Sequence, residues 1–199
     1  MTYIPERRVY EATMQMRDTQ LVGKPYKYLE GRAVPYNVFA DVGWYLEQHD
    51  AGSLVRTTKE AAKGLPLLLW HNNKTWPIGV SDSWDHQDDG LHGVWRLNST
   101  NDAQQAAMLA ESGDLGYLSI GFSPIQSRWE FVDDFNPELG PDHMDSVTRL
   151  ESRLLEVSMT PTPAFATAEI TLVRTAEQPR ARSESKLDAW RRELEKLKR

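Results

Sequence analysis

Apolar positions in this chain recur mostly with the period of strands. Residues 9–16 and 26–34 alternate loosely between apolar and polar, as half-buried strands do, with Gly23-Lys24-Pro25 punctuating between them. Gly31 marks a bulge or a close backbone approach in the second strand, and Pro35 with Asn37 opens a turn. Residues 42–49 read as a short helix or an irregular segment. Residues 58–63 have helical propensity, with Gly64 as the stop. The run Leu65-Pro66-Leu67-Leu68-Leu69-Trp70 is short and continuously apolar, which predicts a strand covered on both faces, and it delivers His71 into the loop Asn72-Asn73-Lys74.

Residues 76–80 resume a strand, and Asp88-Asp89-Gly90 turns the chain into a hairpin completed by residues 91–97. Asn98-Ser99-Thr100-Asn101 offers N-cap side chains for a helix over 103–111, which Gly113 closes. Residues 117–124 form the next strand. Residues 131–147, rich in Asp, Asn, Pro and Gly, read as a surface excursion. A strand over 149–160 is broken by Pro161-Thr162-Pro163, and a last strand spans 168–173. Residues 175–185 are polar and read as a linker. Beyond them Leu187, Trp190, Leu194 and Leu197 make an amphipathic helical stripe, with Ser185 and Asp188 placed as a capping box. The expected division is therefore an N-terminal arm and first strand (1–22), one domain (23–174), and a linker with a helical tail (175–199).

Composition narrows the chemistry. The chain has 199 residues, enough for one sizeable core. It has no run near the roughly 18 apolar residues of a membrane span, and its polar N-terminus lacks a signal core, which argues against export. A net charge of −6 without a long basic block argues against nucleic-acid binding. Cysteine is absent, so disulfides, thiolate metal sites and thiol nucleophiles are excluded together, and covalent catalysis falls to serine, threonine, lysine or a carboxylate.

Three residues then stand out. Ser119 lies between apolar neighbours in Gly116-Tyr117-Leu118-Ser119-Ile120-Gly121-Phe122, His71 ends the buried strand, and Glu156 sits in Leu154-Leu155-Glu156-Val157-Ser158. A serine nucleophile needs an adjacent base, histidine titrates in the right range, and an acid fixes the imidazole's tautomer. Each also has a plain structural reading: a satisfied strand serine, a structural histidine, an exposed carboxylate. Strict alternation puts Leu155 and Val157 on one face and Glu156 on the other. The hydrolase elbow Gly-x-Ser-x-Gly is not matched, since Gly116 precedes the serine by three residues. A metal hydrolase built on His71, His86 or His92 is a rival, although neither His-Glu-x-x-His nor a helical histidine pair is present.

The ordered set Leu29-Glu30-Gly31-Arg32-Ala33, Leu67-Leu68-Leu69-Trp70-His71-Asn72, Pro77-Ile78-Gly79-Val80, Asp89-Gly90-Leu91, Leu118-Ser119-Ile120-Gly121-Phe122, Leu155-Glu156-Val157-Ser158 and Pro163-Ala164 resembles the prohead (procapsid) maturation proteases of tailed bacteriophages. The resemblance implies an α+β fold similar to the herpesvirus assemblins, a small, mostly antiparallel β-barrel flanked by helices, with the helical tail appended. It implies a serine endopeptidase without metal or organic cofactor, acting inside the procapsid in the host cytoplasm. Its substrates would be scaffold and major capsid protein, and itself, with cleavage in 175–185 releasing the tail. By the same resemblance Ser119 is nucleophile and His71 base. The third member is Glu156, chosen over His143 because His143 lies in the loop-like stretch; assemblins use a second histidine there. Assemblins also place an arginine pair by the oxyanion site, absent between Met159 and Ala168 here, so the backbone amide that serves is left open, with Thr162 to Ala164 the region to inspect. A homodimer or higher oligomer is compatible with the family. The alternative to an enzyme is a capsid-assembly or scaffolding protein on the same fold with Ser119 inert.

Overall fold

The computed structural model describes residues 26–61 and 63–176. The expected first strand at 9–16 and the tail stripe at 187–197 lie outside the described residues. What is described is mostly sheet. Nine strands, β1 (Tyr26–Pro35), β2 (Ala40–Asp41), β3 (Leu46–His49), β4 (Pro66–Leu69), β5 (Gly79–Gln87), β6 (Gly90–Leu97), β7 (Tyr117–Glu130), β8 (Ser146–Thr160) and β9 (Ile170–Ala176), are joined by two helices, α1 (Val55–Glu60) and α2 (Asn101–Ser112). The sheet runs β2-β3-β8-β4-β5-β6-β1-β9, with β7 also paired to β8.

β8 is the organising strand. It pairs antiparallel with β7 over almost its whole length, and parallel with both β3 and β4. One fifteen-residue strand thereby fixes the heights of three others. The apolar alternation of β1, β6 and β8 and the near-continuous run of β4 converge on a core containing Leu29, Leu67, Trp95, Leu97, Leu118, Leu154, Val157 and Met159, against which α2 lays Ala103, Ala106 and Ala107. Three small residues on that face let the helix approach closely. Thr100 caps α2 through its side chain, and Gly113 ends it in the left-handed conformation, as expected from the sequence.

Several elements differ from the sequence reading. Residues 42–49 form no helix; they belong to the β2–β3 hairpin, whose second strand gains a parallel partner in β8, so tertiary pairing decides a segment of weak local preference. β7 continues to Glu130 beyond the expected 124, and β5 to Gln87 beyond the expected 80. The expected closed barrel is not formed as a continuous ladder. β7 and β9 meet at a corner, where Ile170 N–H donates to Gly116 O and Leu118 N–H to Ala168 O around an isolated Tyr117–Glu169 bridge. Residues 161–168 between β8 and β9 are turn and bend, and no β7–β9 ladder is described beyond that corner. Gly31 does sit at a close approach: a Cβ there would collide with the Glu169 carbonyl, and the β1–β9 register shifts at that point.

Candidate active site

Strand registry carries the site. Residues directly opposite each other in paired strands share a face. Ser119 of β7 stands opposite Ser158 of β8, and Gly121 stands opposite Glu156. With a period of two along each strand, Ser119, Gly121, Glu156 and Ser158 form one patch. The parallel partner β4 sets Leu68 beside Ser158, and the chain leaves β4 two residues later.

That exit brings His71 over the patch. Trp70 and His71 both hold left-handed backbone, with φ of 51° and 55°. For residues with a Cβ this conformation costs about 1–3 kcal/mol each. It is held by Trp70 N–H donating to Met159 O at 3.1 Å and by His71 N–H donating to Ser158 Oγ at 2.9 Å. The turn folds the imidazole back so that Nδ1 lies 2.6 Å from Glu156 Oε1. The other carboxylate oxygen, Oε2, accepts from Ser158 Oγ at 2.7 Å. Ser158, fully buried, therefore ties the strained turn and the carboxylate to one hydroxyl.

A bulge sets the aim of Glu156. Between Gly121 and Phe122 the β7–β8 register shifts, so that Glu156 and Leu154 have partners while Leu155 is passed over. Leu155 turns out, half exposed, and both Leu154 and Val157 enter the core. This corrects the strict alternation that pairs Leu155 with Val157: one extra residue in β8 resets the phase beside the site. Gly121 is required opposite, because a Cβ there would overlap the Glu156 carboxylate.

The electrostatics follow from this contact. A carboxylate only accepts, so Nδ1 carries the proton toward Glu156 and Nε2 is left free as a base. The Glu156 hydrogen bond raises the His71 pKa above its ordinary 6.5, against partial burial, which lowers it. Ser119 is buried, and among the described residues its hydroxyl makes no hydrogen bond, to His71 included.

The remaining candidates sit elsewhere. His143 ends a short 3₁₀ turn with Nδ1 2.6 Å from Asp134 Oδ2, away from this patch. His86 bridges Tyr36 Oη (2.7 Å) and Thr58 Oγ1 (2.9 Å), and His92 Nε2 lies 2.8 Å from Asp89 Oδ1. Among the described residues no group of three or more His, Asp or Glu side chains is arranged to hold a metal ion. Within Thr162 to Ala164, the Thr162 N–H is engaged by Thr160 Oγ1 and proline has no N–H, which leaves Ala164 as the donor of that stretch. Ser158 is the residue that reading the sequence missed. Its signal is its place two residues after Glu156, which in a strand is the same face.

Comparison with known proteins now bears on this geometry. The family model described as caudovirus prohead serine protease matches residues 13–182. The chain belongs to that family. Membership makes it a protease, with serine chemistry implied by the family's name, and it bears out the resemblance carried by the ordered motifs. Among solved structures, the KSHV protease in complex with a hexapeptide phosphonate inhibitor is similar at 12% identity and a TM-score of 0.42, over 87% of this chain and 77% of that one. No curated protein matches the chain. No helix among the described residues is long and apolar enough to cross a membrane.

Proposed function

We propose that this chain is a serine endopeptidase that cleaves scaffold and major capsid protein segments inside the procapsid during phage maturation, and trims itself. Ser119 is the nucleophile, His71 the general base and Glu156 the group that orients and stabilises the imidazole. The observation that carries the reading is the His71 Nδ1–Glu156 Oε1 contact of 2.6 Å, built on the strand pair that stands Ser119 opposite Ser158.

In this reading Ser119 Oγ attacks the scissile carbonyl while His71 Nε2 takes its proton. The imidazolium is stabilised by Glu156, and the tetrahedral oxyanion is met by backbone amides, with Ala164 N–H as one donor. Collapse breaks the C–N bond, and His71 returns the proton to the departing amine. Water then attacks the acyl-enzyme with the same base, and Ser119 is regenerated. Ser119 and His71 come into hydrogen bonding as substrate enters, since catalytic contacts are commonly looser without it.

The test is co-expression of the chain with its scaffold and capsid protein. Ser119→Ala is expected to leave both uncleaved in procapsids. Scaffold loss at the same pace with Ser119→Ala would favour the assembly-protein reading and refute this one.

A further inference from the structure

Beside the His71 turn the structure holds a cleft of about 260 Å³. One wall is Leu69 and Trp70, the two residues that lead into His71, and the other is the α2 face carrying Asp102, Ala106 and Leu109, with Leu115 beneath. These α2 positions are spaced by four and three, so they project on one side of the helix. Ala106 makes the room: it is buried in the core, and any larger side chain there would fill the floor. Trp70 stands at the mouth with 57% of its surface exposed, on a backbone held left-handed. Local strain at such a position marks a place where the surrounding structure fixes a side chain for use.

Size and lining limit what fits. Sites for whole small molecules run roughly 300–1,000 Å³. A cleft below that range takes a single side chain. Leu69, Ala106, Leu109 and Leu115 make the apolar part of the lining and Trp70 its aromatic mouth; Asn72, Thr75 and Gln105 add polar groups, and the one charge, Asp102, lies in the first turn of α2, where a carboxylate is already favoured by the helix's N-terminal end. Asp102 therefore needs no cationic guest to explain it.

Resting on the proposed proteolytic reading, we infer that this cleft, beside the His71 turn, is a specificity subsite that takes one large aliphatic side chain of the peptide substrate, leucine or methionine in kind. Its walls run directly into the catalytic turn through Leu69-Trp70-His71, so an occupant is positioned relative to the histidine by main chain. A methylene gained or lost in an apolar pocket changes selectivity by about 10–200-fold, so a mispacked cleft is measurable.

The experiment digests a proteome-derived peptide mixture with the full chain and reads cut sites by mass spectrometry, with Ser119→Ala as control. The wild type is expected to favour Leu or Met at one fixed position. Ala106→Phe is expected to move that position to Ala, Gly or Ser with at least a tenfold change in preference. Leu109→Ala is expected to admit Phe or Trp there, and it decides the matter if Ala106→Phe does not fold. Cut sites unchanged in the folded variants while cleavage still requires Ser119 would overturn the subsite alone. So would a Lys or Arg preference that Asp102→Asn removes. Cleavage indifferent to Ser119→Ala, or no cleavage by the wild type, would overturn the subsite together with the reaction it serves.

Discussion

Ser158→Ala tests the scaffolding of the site without touching any of its three proposed reacting groups. The deleted hydroxyl accepts from His71 N–H at 2.9 Å and donates to Glu156 Oε2 at 2.7 Å. The bond to an ionised carboxylate is worth about 1.5–3 kcal/mol and the neutral one about 0.5–1.5 kcal/mol. Ser158 itself is fully buried, but the His71 side chain is 43% exposed, so water recovers part of the loss. A net destabilisation of about 2–3 kcal/mol is expected. For a chain of 199 residues that lowers Tm by about 4–12 °C. Activity falls further than stability explains, because the left-handed turn loses the bond that holds His71 N–H. Misplacing a base by about 1 Å costs on the order of 100-fold. The assay is a thermal melt together with kcat and KM on a peptide substrate, with Ser158→Thr as the conservative comparison. Expected are a kcat lower by about 10–100-fold, a KM nearly unchanged, and substantial recovery in Ser158→Thr. A Ser158→Ala protein with wild-type Tm and kcat would show that the hydroxyl holds neither partner.

With His71 raised above 6.5 by Glu156, kcat/KM is expected to rise with pH through a midpoint above 6.5, as the base must be neutral; Glu156→Gln should move that midpoint down and lower the plateau, and an unmoved midpoint would contradict the pairing. Gly121→Ala places a Cβ against the Glu156 carboxylate and is expected to cut kcat at least tenfold and shift the same midpoint downward, read by the same pH–rate profile. His49 is buried between Phe122 and Phe165, and burial first, then the Arg149 charge, pushes its pKa down to about 4. Its folded value lies below the unfolded 6.5, so its contribution is complete above pH 6.5 and is lost as pH falls towards 4. That amounts to about 3 kcal/mol by urea denaturation, and the loss should be absent in His49→Asn.

How far the sequence shows this architecture differs from element to element. Long, strongly patterned pieces are readable: the Leu67-Leu68-Leu69 strand, the α2 helix with its Thr100 cap and Gly113 stop, the β5–β6 hairpin around Asp88-Asp89. Their local preferences agree with their tertiary roles. The β2–β3 hairpin is not readable, because its stability comes from a parallel neighbour about a hundred residues away in the chain. In the site, the residue types of Ser119, His71 and Glu156 and the ends of their strands are visible, but the devices that bring them together are not. The bulge at Leu155 looks like ordinary Leu-Leu-Glu-Val. The left-handed pair Trp70-His71 carries no glycine or asparagine to announce it. Both are imposed by neighbours: by β7 through Gly121, and by β8 through Met159 O and Ser158 Oγ.

The most direct measurement is labelling of the intact protein by a fluorophosphonate, with the modified residue located by peptide mass spectrometry. The proposed roles of Ser119, His71 and Glu156 predict a single adduct on Ser119, formed at least a hundredfold more slowly in His71→Ala and removed along with proteolysis in Ser119→Ala. An unlabelled Ser119 in protein that still cleaves its substrates, or labelling at the same rate without His71, would contradict it.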